Sequence, residues 1–145
     1  MYLLDTPVVS EYLKKKPSKK VIDWLDEQDE HSLLISCLTI AELKKGYYKL
    51  QSKAASVGEK KRAEKVSTWI QTFEKRFQDR IVQIDAELLE LWAIICGRRE
   101  AEGKKLPVVD SLLVATAQTH GLVVVTRNVT DFENGSKSLT IYDPY

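Results

Sequence analysis

The chain has 145 residues, 43% of them hydrophobic and 30% charged, and its 22 Lys and Arg against 21 Asp and Glu leave a net charge of +1. That length suits one domain, and the balance excludes a disordered chain, a collagen-like chain and a small disulfide scaffold. No apolar run approaches the roughly 20 residues of a membrane span. The expectation is a soluble, cytoplasmic single domain over residues 1–145, with no membrane contact. Asp5 interrupts residues 1–4 before a signal peptide develops. Cys37 and Cys96 lie in apolar segments, as buried free thiols of a reducing compartment do.

The charge is unevenly spread. Residues 1–80 carry 16 basic and 12 acidic side chains, and residues 81–145 carry 6 and 9. The excess is local, in the lysines at 14–16, 19 and 20 and in Lys60, Lys61 and Arg62. A solvated face explains such runs as well as a nucleic-acid contact does.

Residues 1–5 read as a short apolar strand that stops at an acid. Pro7 suits the first position of a helix, because its missing N–H is not needed there. Apolar residues at 8, 9, 12 and 13 continue that helix until Pro17 stops it. Ser18 caps a second helix expected to bury Val21, Ile22, Trp24 and Leu25. Residues 32–37 fit a buried strand. Thr39 and Glu42 have the spacing of a capping box for the next helix, and residues 57–78 form a polar amphipathic helix. The second half repeats the alternation. A short strand over 80–84 is followed by a helix capped by Asp85, expected to bury Leu88, Leu89, Leu91, Trp92 and Ile95. A loop over 103–107 leads to a helix ending near Gly121. Residues 122–125 are an unbroken apolar run, as in a parallel strand covered on both faces, and residues 139–142 add an edge strand. The alternation predicts a three-layer α/β/α fold around a mostly parallel central sheet.

Ligands of such sheets collect beyond the carboxyl ends of the strands. Asp5, Glu42, Asp110, Asn128 and Asp131 all follow a strand or open a helix. The fold therefore predicts that Asp5, Glu42 and Asp110 converge within a few Å. Packed carboxylates repel unless a cation neutralises them. An all-oxygen set without His or Cys favours Mg²⁺ or Mn²⁺ over zinc, and such an ion suits phosphodiester hydrolysis. Each residue also has a plain structural role: Asp5 as a turn residue, Glu42 in its capping box, Asp110 at the positive end of a helix, and Asn128 and Asp131 in a turn. His31 and His120 are isolated, and the tryptophans sit at core spacing rather than as base-stacking platforms. A strand-terminal Asp is also the nucleophile of haloacid-dehalogenase-like phosphohydrolases, but those need a second Asp where Pro7 stands.

Four segments carry a resemblance: Leu3-Leu4-Asp5-Thr6; Thr39-Ile40-Ala41-Glu42-Leu43; Pro107-Val108-Val109-Asp110 with Ala115-Thr116-Ala117; and Val125-Thr126-Arg127-Asn128. In this order they resemble PIN-domain ribonucleases, above all the toxins of VapBC-type pairs and their FitB-like branch. The resemblance implies a Mg²⁺- or Mn²⁺-dependent endoribonuclease toxin acting on RNA. It further implies a homodimer inhibited by a cognate DNA-binding antitoxin, with the region around residues 39–75 meeting the antitoxin or the twin subunit. By the same resemblance Asp5, Glu42 and Asp110 hold the metal, with Thr6, Thr126 or Asn128 orienting ligands. The chain departs from the family at Pro7, where Asn is usual, and at Asn128, where Asp is frequent. Asp131 is a substitute carboxylate for the latter, and weaker metal binding than that of a full acid quartet is expected. A PIN-like interaction protein that works through antitoxin and operator-DNA complexes while cleaving weakly is the alternative.

Overall fold

The computed structural model describes residues 1–145. Five strands form one sheet in the order β3-β2-β1-β4-β5. They are β1 (Tyr2–Leu4), β2 (Leu33–Ser36), β3 (Ile81–Val82), β4 (Val123–Val125) and β5 (Ile141–Tyr142). Every pairing is parallel, so the sheet is wholly rather than mostly parallel. Seven helices connect the strands: α1 (Thr6–Val9), α2 (Lys19–Glu27), α3 (Cys37–Lys53), α4 (Val57–Arg76), α5 (Ala86–Ala101), α6 (Val108–His120) and α7 (Val129–Gly135). A 3₁₀ turn over Ser10–Leu13 prolongs α1.

Strand periodicity divides the core between the two faces of the sheet. Leu3 pairs in register with Val124 and Leu4 with Val125. Leu3 and Val124 pack with Leu113, Val114, Ala117 and Phe132 on one face. Leu4 and Val125 pack with Val8, Val21, Ile35, Ile70 and Phe73 on the other. Each fully buried Leu or Phe contributes roughly 1.5–3 kcal/mol, so both layers are held by the same short strands. Ser18 caps α2, Asp85 caps α5 through the Leu88 amide at 2.9 Å, and Gly121 closes α6 in the left-handed region at φ 63°.

Several local expectations are corrected. Ser36, not Thr39, caps α3, its hydroxyl accepting from the Leu38 amide at 3.1 Å. The helix therefore starts three residues earlier, and Thr39 and Glu42 form no capping box. The capping box of the chain is Ser56 with Glu59, at the start of α4. Helix α5 buries only Leu88 completely, while Leu89 and Ile94 are exposed to 43% and 40%. Ile22 and Trp24 are half-buried, as are Cys37 and Cys96. No helix is long and apolar enough to cross a membrane.

Candidate active site

The strand order contains a reversal that creates a crevice. From β1 the chain winds outward to β2 and β3 on one side, and β4 and β5 occupy the other side. Connections therefore leave β1 and β4 in opposite directions, opening a gap beyond their carboxyl ends. Asp5 follows β1 and Thr126 follows β4 at that gap.

Asp5 is 2% exposed, and each of its oxygens has a donor. The Thr6 amide donates to Oδ1 at 2.8 Å, and the Thr126 hydroxyl donates to Oδ2 at 2.7 Å. Its side chain also caps α1, which explains why the strand can end abruptly on an acid. Pro7 lies in the first turn of α1, where no N–H is required. Thr6 joins two acids: its amide holds Asp5, and its hydroxyl donates to Glu42 Oε1 at 2.5 Å. Glu42 thus faces α1 across the gap, from the second turn of α3. Asp110 is the first-turn acid of α6. That turn is secured to α5 by the Trp92 indole N–H, which donates to Ser111 Oγ at 2.9 Å.

The electrostatics show a shared field. Burial pushes the Asp5 carboxyl up to about 6; the Thr126 hydroxyl opposes this, the negative charge of Asp110 adds to it, the Thr6 amide opposes it, and Glu42 adds to it. Burial also raises Asp110, and the charges of Asp131 and Glu42 raise it further. Four carboxylates from four elements are thereby coupled. No group of three or more His, Cys, Asp or Glu side chains forms a ready-made metal cage. Asn128 and Asp131 are exposed at the start of α7. The Asn128 amide donates to Thr126 Oγ1 at 2.9 Å, making that hydroxyl a link between Asp5 and the α7 turn.

The donor set consists of carboxylate and hydroxyl oxygens, with no His or Cys. One buried polar atom lacks a partner, Thr39 Oγ1, one helical turn before Glu42 on α3. An open oxygen set whose acids repel one another fits a hard divalent cation that retains waters to complete its coordination. Asp5, Glu42, Asp110 and Asp131 are the side chains that would hold it. Residues not anticipated from sequence also border the site: Glu11, 1% exposed, and Arg127 and Tyr145. Contacts between distant segments reveal their place; Arg127 lies within the Val125–Asn128 segment, but nothing local gave it a role of its own.

The PIN domain model matches residues 2–135. Toxin FitB of Neisseria gonorrhoeae is 31% identical over 147 residues, covering 100% of this chain and 99% of that protein. VapC ribonuclease Y4jK of Sinorhizobium fredii is 30% identical over 153 residues, covering 100% and 98%. Among solved structures, FitAcB from Neisseria gonorrhoeae superposes with a TM-score of 0.83 at 28% identity, covering 99% of this chain and 98% of that one. A toxin–antitoxin complex from Klebsiella pneumoniae, at 20% identity, shares the fold. With the acids at the carboxyl ends of an all-parallel sheet and a family match across nearly its whole length, the chain belongs to the PIN-domain family, among relatives that are FitB and VapC toxins.

Proposed function

We propose that the chain is the endoribonuclease toxin of a type II toxin–antitoxin pair, hydrolysing RNA phosphodiester bonds at the acidic crevice with Mg²⁺ or Mn²⁺. The observation that carries this reading is the coupling of Asp5, Glu42 and Asp110 beyond the strand ends, with Asp5 buried and raised to about 6. A chain gains nothing in stability from such an arrangement, so a bound cation gives it its purpose.

Asp5, Glu42, Asp110 and Asp131 are the proposed metal ligands, and Asp5, Glu42, Asp110 and Asn128 the proposed catalytic residues. The cation would supply charge neutralisation at the phosphate and a lowered pKa for an attacking water. Thr6 and Thr126 orient the Glu42 and Asp5 carboxylates through their hydroxyls, so the donor oxygens are held before substrate arrives. Burial of Asp5 excludes bulk water from the base of the crevice, which strengthens every charge interaction there.

The relatives named as toxin and ribonuclease support an antitoxin partner and an RNA substrate. A cavity of about 420 Å³, lined by Leu4, Tyr12, Trp69 and Phe73 on one hand and by Asp26, Glu30 and Arg76 on the other, supports an antitoxin seat against α4. The exposed Leu89, Ile94 and Val108 support homodimerisation through α5 and the start of α6. The cytoplasm is the compartment consistent with an intracellular RNA target. The alternative, a weakly cleaving PIN-like protein that acts through antitoxin and operator-DNA complexes, draws on the uncharged Asn128 and on Pro7.

Cleavage of a mixed total-RNA and tRNA pool by antitoxin-free protein tests both readings, with Mg²⁺, Mn²⁺ or EDTA and an Asp5→Asn control. Discrete metal-dependent fragments absent from the control are expected. A folded protein that leaves the pool intact would overturn the nuclease reading in favour of the alternative.

A further inference from the structure

Tyr145 is built into the rim of the crevice. Glu11, on the 3₁₀ turn after α1, is 1% exposed. Its carboxylate accepts from the Ser18 amide at 2.9 Å, from the Tyr145 hydroxyl at 3.0 Å and from the Lys14 ammonium. Burial alone would push this carboxyl up, but these donors outweigh it and hold it below the ordinary range. The Tyr145 hydroxyl also lies 3.3 Å from the Pro7 carbonyl oxygen, two residues beyond Asp5. Lys20 reaches the Tyr145 backbone carbonyl, and the preceding Pro144 is buried. The Tyr145 ring is therefore held from both its ends.

The guanidinium of Arg127 lies on that ring, its Cζ 4.7 Å from the ring centroid. Arg127 directly follows Thr126, whose hydroxyl holds Asp5. It is exposed and makes no ion pair, although the crevice contains several carboxylates. Stacking occupies only the face of a guanidinium. Its five N–H donors lie in the plane and remain free for an anion. A polyanion approaching four acids is repelled, and a pre-oriented cation at their edge offsets that repulsion while binding a phosphate through two parallel hydrogen bonds.

We propose that Arg127 binds a backbone phosphate of the RNA strand entering the crevice, and that Tyr145 is the positioning residue that holds its guanidinium there. This rests on the ribonuclease reading and names how substrate is gripped. It assigns Tyr145 a part in substrate binding.

The test is the affinity for a short fluorescent single-stranded RNA, measured by anisotropy over a salt series in an Asp110→Asn background that prevents turnover. Arg127→Ala is expected to weaken binding about 10-fold and to flatten the salt dependence by about one phosphate contact. Arg127→Lys should recover only part of the loss, because a point charge lacks the planar fork. Tyr145→Ala should weaken binding several-fold, and Tyr145→Phe, which keeps the ring, should lose less. The double variant Arg127→Ala/Tyr145→Ala should bind no more weakly than Arg127→Ala, since Tyr145 acts only through the arginine. Unchanged affinity and salt slope in a folded Arg127→Ala protein would overturn the proposal, and so would full additivity of the two substitutions or no RNA binding by the parent. If Tyr145→Ala does not fold, Tyr145→Phe and Arg127→Ala still decide it. Cleavage of the RNA pool is scored separately: intact RNA with Arg127-dependent binding rejects the nuclease reading alone, and cleavage with Arg127-independent binding rejects the phosphate contact alone.

Discussion

The Thr126 hydroxyl donates to Asp5 Oδ2 at 2.7 Å, joining residues 121 positions apart in the chain. This bond lies just beyond the carboxyl ends of β1 and β4 and is the main interaction lowering the pKa of a carboxylate that burial raises. Thr126→Val keeps the side-chain shape and removes the donor. It should cost about 1–3 kcal/mol of stability, because a buried acceptor loses its partner, and should move the Asp5 carboxyl above 6. Urea unfolding and carboxyl-carbon NMR titration measure the two effects.

Asp5→Asn should separate stability from function. The raised Asp5 pKa means that the ionised side chain is unfavourable in the metal-free fold at neutral pH. A neutral amide of the same shape should stabilise the metal-free protein at pH 7.5 by about 1–3 kcal/mol, since each pKa unit corresponds to about 1.4 kcal/mol. RNA cleavage should be lost in the same variant. Urea denaturation in EDTA beside the cleavage assay gives both numbers, and a destabilised variant would contradict the expectation.

The pH dependence has a definite sign. The folded protein binds the Asp5 proton more tightly than the unfolded chain does, so this group makes the metal-free protein less stable as pH rises from about 4 to about 6. Above that range its penalty is constant. Glu11 acts oppositely: its lowered carboxyl contributes stability that is lost on acidification. The difference in unfolding free energy between the parent and Asp5→Asn isolates the Asp5 part. Because a cation competes with that proton, Mn²⁺ affinity measured by calorimetry should fall as pH drops through 6 and level off above it.

Pro7→Asn should raise the RNA cleavage rate with little change in melting temperature. The proline costs the fold nothing in the first turn of α1, but it provides no side-chain amide to the crevice two residues from Asp5. Equal rates for the two proteins would show that position 7 does not limit activity.

Gly135→Ala should destabilise by about 1–3 kcal/mol through overpacking. A Cβ at this buried position of α7 would meet Val114 Cγ2 at 2.8 Å and Cγ1 at 3.2 Å. The double variant Gly135→Ala/Val114→Ala should recover part of the loss, as thermal unfolding would show.

The local order of elements was legible in the sequence because each was written in nearby residues. The apolar run over residues 122–125, Ser18 and Asp85 before their helices, and Gly121 after α6 act within one or two turns of chain. The alternation of strand and helix then implies a parallel sheet, and the parallel sheet implies that acids such as Asp5 and Asp110 gather at its carboxyl end. Which donor each acid receives was not legible. Thr39 and Glu42 have capping-box spacing, yet Ser36 takes the cap and Glu42 turns to Thr6, 36 residues away. Helix α5 is apolar enough to read as core, but the fold covers only Leu88 fully and leaves Leu89 and Ile94 in the open. The Glu11–Tyr145–Arg127 arrangement joins opposite ends of the chain. Propensity and periodicity report what a segment can form alone. Pairing of hydroxyl with carboxylate, or of ring with guanidinium, is decided only when sheet order brings distant segments within hydrogen-bond reach, where leaving a buried charge unpaired would cost more than the fold can spare.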